Sequence, residues 1–174
     1  MQFRIFGPYD IPRNGHLISR DKADKNYFWD EIEKDAEGLP DACGCYVFTI
    51  RERVWYIGMA EKQSFKKECF QHHKLTLYHE AINKVGMKAG NPRLLLIAKT
   101  TPGNSFSAPS PNGHRDIQFL EKLILGQAMS HNPDLQNLKD TKLLRELNVP
   151  GVLNTKKGQA RSSSVQALKH ALGL

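Results

Sequence analysis

Two tyrosines ten residues apart, Tyr46 and Tyr56, each sit in a short run of β-branched and aromatic residues, and charged Arg51-Glu52-Arg53 separates the runs. Strands this close in sequence pair most simply as an antiparallel hairpin. β alternation places Tyr46 on a face with Phe48 and Ile50, and Tyr56 on a face with Val54 and Gly58, so the hairpin can hold two phenol hydroxyls near each other. Taken alone, the pair also reads as two ordinary strand tyrosines. Glu121 is less ordinary. Ile117, Leu120, Ile124, Leu125 and Ala128 make an apolar stripe at helical spacing, and Glu121 falls within it. A carboxylate facing a core is costly unless something pairs with it. A metal ion or a lysine meets that need; the plainer alternative is a glutamate at the stripe's edge, turned to solvent or to a salt bridge.

Basic residues surround these positions in the sequence. Lys66, Lys67 and Lys74 follow the second tyrosine, Arg51 and Arg53 lie between the strands, and Lys156, Lys157 and Arg161 form a basic loop. They are placed to line a phosphate track, the alternative being a set of solvated loops; such contacts position a duplex without reading its sequence. The whole chain agrees in sign, with 25 Lys+Arg against 18 Asp+Glu and a net charge of +7 over 174 residues. That balance favours a polyanionic partner, nucleic acid or an anionic membrane surface. No apolar run approaches the ~18 residues of a membrane span, and the start MQFRIFGPYD lacks the features of a secretory signal. The three cysteines make an odd count, with Cys43 and Cys45 too close for an easy bridge, which reads as reduced thiols and a cytoplasmic location. Cys69 and His72, with His73 beside them, have C-x-x-H spacing, but Cys43 and Cys45 would complete a zinc site only at an unfavoured C-x-C spacing. Cys69 reads instead as a small core hydrophobe.

The elements that must position these residues follow from periodicity and turn chemistry. Residues 1–40 read as an N-terminal extension, with turns at Gly7-Pro8 and Ile11-Pro12. A helix capped by Ser19 or Asp21 then reaches about Glu37, its apolar members among Tyr27, Phe28, Ile32 and Ala36 docking on the main body. Strands are expected over Cys45–Ile50, Val54–Met59 and Arg93–Lys99, with a helix from Ser64 to about Asn83 before the third. Thr101 to Gly113 is a long loop, His114 to about Met129 a strong helix, and Asp140 or Thr141 begins a shorter helix to Leu147. Ser162-Ser163-Ser164 caps a last helix. The expected fold class is α/β (α+β), a small mixed three-stranded sheet flanked by helices. The expected organisation is an extension over 1–40, a main domain over 41–155, and a basic loop with a terminal helix over 156–174.

Gly44-Cys45-Tyr46 and Tyr56-Ile57-Gly58, followed by a helix, a third strand, Glu121 on a further helix and Asn154 in Val152-Leu153-Asn154, resemble the GIY-YIG endonuclease family over roughly residues 42 to 155. The resemblance implies a GIY-YIG-like fold and metal-dependent hydrolysis of phosphodiester bonds in nucleic acid, DNA ahead of RNA. In that reading Glu121 holds Mg²⁺ or Mn²⁺, and one carboxylate suits a small hard cation that keeps much of its hydration shell. Tyr46 is the general base or orients the attacking water, Tyr56 bonds the phosphate or the nucleophile, and Asn154 braces the site. His72 falls at the family's histidine position, a candidate for proton transfer or phosphate contact. The family's helix arginine is replaced here by Glu68, with Lys67 a candidate for part of its role and Lys66, Lys74 or Lys62 able to reach in on flexible stems, though without arginine's bidentate fork. In a working site Glu68 must stand apart from the phosphate or pair with Lys67 or His72. The other readings are a nucleic-acid-binding module that no longer cuts, and a protein-interaction domain that uses the N-terminal helix and the Thr101–Gly113 loop.

Overall fold

The computed structural model describes residues 2–86, 90–137 and 162–173, together with 141, 142, 145–147, 149 and 152. The chain divides into two compact units, Met1–Asn137 and Leu138–Leu174. Among the described residues no helix is long and apolar enough to cross a membrane.

The first unit is built on a four-stranded antiparallel sheet rather than the expected mixed sheet of three. Strands β4 (Gly44–Ile50), β5 (Arg53–Ala60) and β6 (Pro92–Thr100) are the ones legible in the sequence. They are joined by β1 (Gln2–Asp10), giving the order β1-β6-β4-β5 with every neighbouring pair antiparallel. β1 arises from residues read as turns because Gly7-Pro8 falls at a break in its register, between Phe6 and Tyr9. Proline lacks the N–H a central ladder needs, and an edge strand with a bulge tolerates it. A side chain at Gly7, whose φ is 95°, would also meet the Leu94 carbonyl oxygen at 2.8 Å. A two-stranded ribbon, β2 (Arg13–Asn14) with β3 (Leu17–Ile18), leads into α1 (Lys22–Asp35). Asp21 caps α1 through its carboxylate on the Ala23 N–H, and Phe28, Trp29 and Ile32 are its buried residues, while Tyr27 is exposed.

The expected helix after β5 is two helices, α2 (Phe65–Glu68) and α3 (His72–Val85), because Gln71 takes an extended conformation and restarts the chain. α4 (Arg115–His131) matches its expectation within two residues. Tyr46, Phe48, Tyr56, Phe65, Cys69 and Tyr78 share one hydrophobic core with the buried residues of α1. On the alternate side chains of the sheet, Cys43 and Cys45 pack with Ile117 and Leu120 of α4. In the second unit, α5 (Ser163–Leu172) starts at Ser162, whose hydroxyl accepts from the Val165 N–H, and stops at left-handed Gly173. The shorter helix expected to reach Leu147 lies largely outside the described residues.

Candidate active site

The hairpin turns tightly at Arg51-Glu52, with Arg51 at φ 57°, and its register sets Tyr46 opposite Gly58 and Phe48 opposite Tyr56. Residues directly opposite share a face, so the two tyrosines are diagonal neighbours, with ring centroids 6.1 Å apart. Gly58 is what allows this. A Cβ there would run into the Cζ and hydroxyl oxygen of Tyr46, so the second motif's glycine makes room for the first motif's tyrosine. From α3, Tyr78 stacks flat on Phe48 at 4.2 Å and meets Tyr56 edge-on at 5.8 Å. Three phenols therefore share one buried wall.

Their chemistry differs with their partners. Tyr46 is fully buried, and its hydroxyl lies close to that of Tyr56 without a hydrogen bond of good geometry. Burial, followed by the neighbouring Tyr78 and Tyr56, lifts its pKa well above the ordinary 10.0, so Tyr46 is a neutral phenol. The Tyr56 hydroxyl oxygen accepts a hydrogen bond from the Lys74 ammonium at 2.7 Å. Burial raises the Tyr56 pKa most, the Lys74 charge and hydrogen bond work against that rise, and the Glu121 charge adds to it.

Lys74 brings a cation to this wall. Its Nζ stands 5.2 Å and 5.9 Å from the ring centroids of Tyr56 and Tyr46. It also pairs with the Glu68 carboxylate at 3.5 Å, both side chains being largely buried, and Gln71 donates to the other Glu68 oxygen at 3.2 Å. Burial pulls the Lys74 pKa down, but Tyr56 and Glu68 outweigh it, so the ammonium stays charged at neutral pH. Glu68 is thus neutralised by Lys74, not by the expected Lys67 or His72. Lys67 is exposed on α2; His72 is exposed on α3, two positions from Lys74 and so on the other side of the helix.

Glu121 lies where its stripe placed it, 8% exposed among Ile117, Leu125 and Ala128. α4 packs on the Cys45 side of the sheet, and the Glu121 charge is felt on both sides. It contributes, after burial, to pushing the Cys45 thiol up to about 12, and it adds to the rise at Tyr56. What fixes α4 against β5 is Glu61, immediately beyond the strand. Its carboxylate accepts from the His114 N–H at 2.9 Å and from the Gln118 side chain at 2.8 Å, capping the helix with negative charge. Gly113, at φ 71°, leaves the space, since a Cβ there would lie 2.6 Å from that carboxylate. Among the described residues no three or more His, Cys, Asp or Glu side chains come together in a group that could hold a metal ion. A single carboxylate such as Glu121 fits a cation that keeps most of its water, as Mg²⁺ does, and does not fit one that needs an all-protein cage. The thiols are divided, Cys69 in the phenol core and Cys43 with Cys45 in the other cluster.

Asn154, Lys156, Lys157 and Arg161 lie outside the described residues. A different asparagine braces β5: the Asn137 side chain accepts from the Ile57 N–H at 3.0 Å and donates to the Ile57 carbonyl at 2.6 Å. Asn132 donates to the Val54 carbonyl and the Gln136 N–H to that of Trp55, so residues 132–137 cover the strand's outer edge. The sequence marks this stretch only as a break at Asn132-Pro133, and nothing in it singles out Asn137. The chain matches no family model, no curated protein and no solved structure.

Proposed function

We propose that the protein is a GIY-YIG-type endonuclease that hydrolyses phosphodiester bonds in nucleic acid, DNA ahead of RNA, with Mg²⁺ or Mn²⁺. The observation that carries this reading is the Tyr46–Gly58 fit beside a Tyr56 hydroxyl held by the buried Lys74 ammonium. A hairpin with merely structural tyrosines has no need of a charged lysine brought into its core, where an ion is costly to place. A site that must neutralise a phosphate does.

Tyr46, a neutral phenol sealed in the core, meets the attacking water only once the site opens around bound substrate, and then orients that water instead of removing its proton unaided. Tyr56 and Lys74 act as one donor pair on a non-bridging phosphate oxygen, with Glu68 and Gln71 holding the ammonium in place. Glu121 would hold the metal, which when bound would supply Lewis-acid chemistry for the phosphoryl group. Asn137 keeps Ile57, and with it the flanking Tyr56 and Gly58, in register. His72 and Lys67 stand outside this chemistry. Incubating the protein with supercoiled plasmid should give nicked circles with Mn²⁺ and none with a chelator. Duplex binding without nicking in any divalent metal would favour the binding module that no longer cuts.

A further inference from the structure

α1 and α2 come from separate parts of the chain, yet a cleft of about 290 Å³ opens between them. Lys22, Lys25 and Asn26, which share a face of α1 at i, i+3 and i+4, line one side; Lys66, Lys67 and Gln71 line the other. Its floor is Trp29 and Phe70, ring centroids 5.7 Å apart. None of the four lysines is ion-paired or hydrogen-bonded through its side chain to a described residue. The carboxylates nearest in sequence are otherwise engaged or turned away. Asp21 caps the helix, Glu68 pairs with Lys74, and Asp24 is not part of the lining.

Four like charges around one cleft repel one another, so the arrangement favours an anion held among them. The cleft is also joined to the phenol site. Gln71 lines it and donates to Glu68; Glu68 pairs with Lys74; Lys74 donates to Tyr56. We infer that this cleft holds backbone phosphates of the nucleic acid, so that the N-terminal helix α1 belongs to the substrate surface and leads the strand toward Tyr56. This rests on the endonuclease reading. Trp29 is too buried to stack on a base, at 3% exposure, so the contact is to phosphate and independent of sequence.

The test measures binding by fluorescence anisotropy, with a labelled short duplex in EDTA, over a series of salt concentrations. Lys22→Ala/Lys25→Ala is compared with the unaltered protein and with Lys34→Ala, which removes an exposed lysine at the far end of α1 paired with Glu31. If each of the two lysines meets a phosphate, the slope of log affinity against log salt should flatten by about 1.8 in the double variant. It should be unchanged in Lys34→Ala, and KM for cleavage should rise while kcat holds. An unchanged slope in a protein that binds and nicks DNA would overturn the cleft and leave the endonuclease reading standing. A flattened slope in a protein that never nicks would keep the cleft and overturn the endonuclease. A protein that binds no duplex or single strand overturns both.

Discussion

Replacing Lys74 by methionine keeps the hydrocarbon stem and removes the charge, which separates what the ammonium does for the fold from what it does for chemistry. Its pair with Glu68 spans 3.5 Å, worth about 5 kcal/mol of gross attraction at an effective dielectric of 20. Burying both groups offsets much of that, so the pair itself contributes little net stability. Breaking it from one side is different, because Glu68 is left buried with only Gln71 and Tyr56 loses its donor. The expected cost of Lys74→Met is about 3 kcal/mol, a fall in Tm on the order of 10 °C. Glu68→Gln/Lys74→Met removes the stranded carboxylate as well and should recover most of that loss. Cleavage should not recover with it: both variants should nick plasmid about 10²–10³-fold more slowly than the unaltered protein. Glu68→Arg sets two cations against each other, drives Lys74 off Tyr56 and should also lower cleavage. The assays are thermal denaturation by circular dichroism and plasmid nicking with Mn²⁺. A double variant that cuts at the unaltered rate would refute the role of Lys74 at the phosphate, and a Lys74→Met as stable as the parent would refute the buried pair.

Three further outcomes follow from the same geometry. Gly58→Ala forces the Tyr46 ring aside and should cost about 1–3 kcal/mol in denaturant unfolding, far more than alanine at an open glycine such as Gly126. Asn137→Ala leaves the Ile57 N–H and carbonyl without their partner, and amide exchange at Ile57 should quicken by at least about tenfold. Burial would raise the Asp116 pKa, but the hydrogen bond and charge of Lys99 outweigh it and hold it below 3.8. The stabilisation that Asp116 provides is therefore complete above its unfolded pKa and lost as pH falls through the lower folded one. An acid titration of stability should lose that step in Asp116→Asn.

The parts of the site that were legible in the sequence are those that periodicity encodes. α4 shows its stripe with Glu121 inside it, and β4 and β5 show two β-rich runs separated by a charged turn. β1 was hidden because Arg4 and Phe6 share a face, with the guanidinium over the ring, while Ile5 points outward at 70% exposure, which inverts the usual alternation. Gly7-Pro8 then disguised a bulge as a turn. The aim of Lys74 has no sequence signature, since a lysine's long stem reaches any of several places and only packing selects one. Asn137 is hidden for a similar reason, because an amide that completes a strand edge looks the same in sequence as one in any polar loop. Glu68 where the resemblance expects arginine was visible, and Lys74 was one of several lysines able to reach in, but which of them offsets Glu68 was not.

In the proposed endonuclease Glu121, carried by α4 on the Cys45 side of the sheet, holds the metal for phosphodiester cleavage. Glu121→Gln keeps the side chain's size within α4's buried stripe and removes its charge. The most direct measurement is Mn²⁺-dependent nicking of supercoiled plasmid by this variant and its parent, with duplex affinity and Tm measured on the same preparations. The parent should nick and Glu121→Gln should not, with affinity and Tm nearly unchanged. A Glu121→Gln protein that nicks at the parental rate would contradict that role for Glu121.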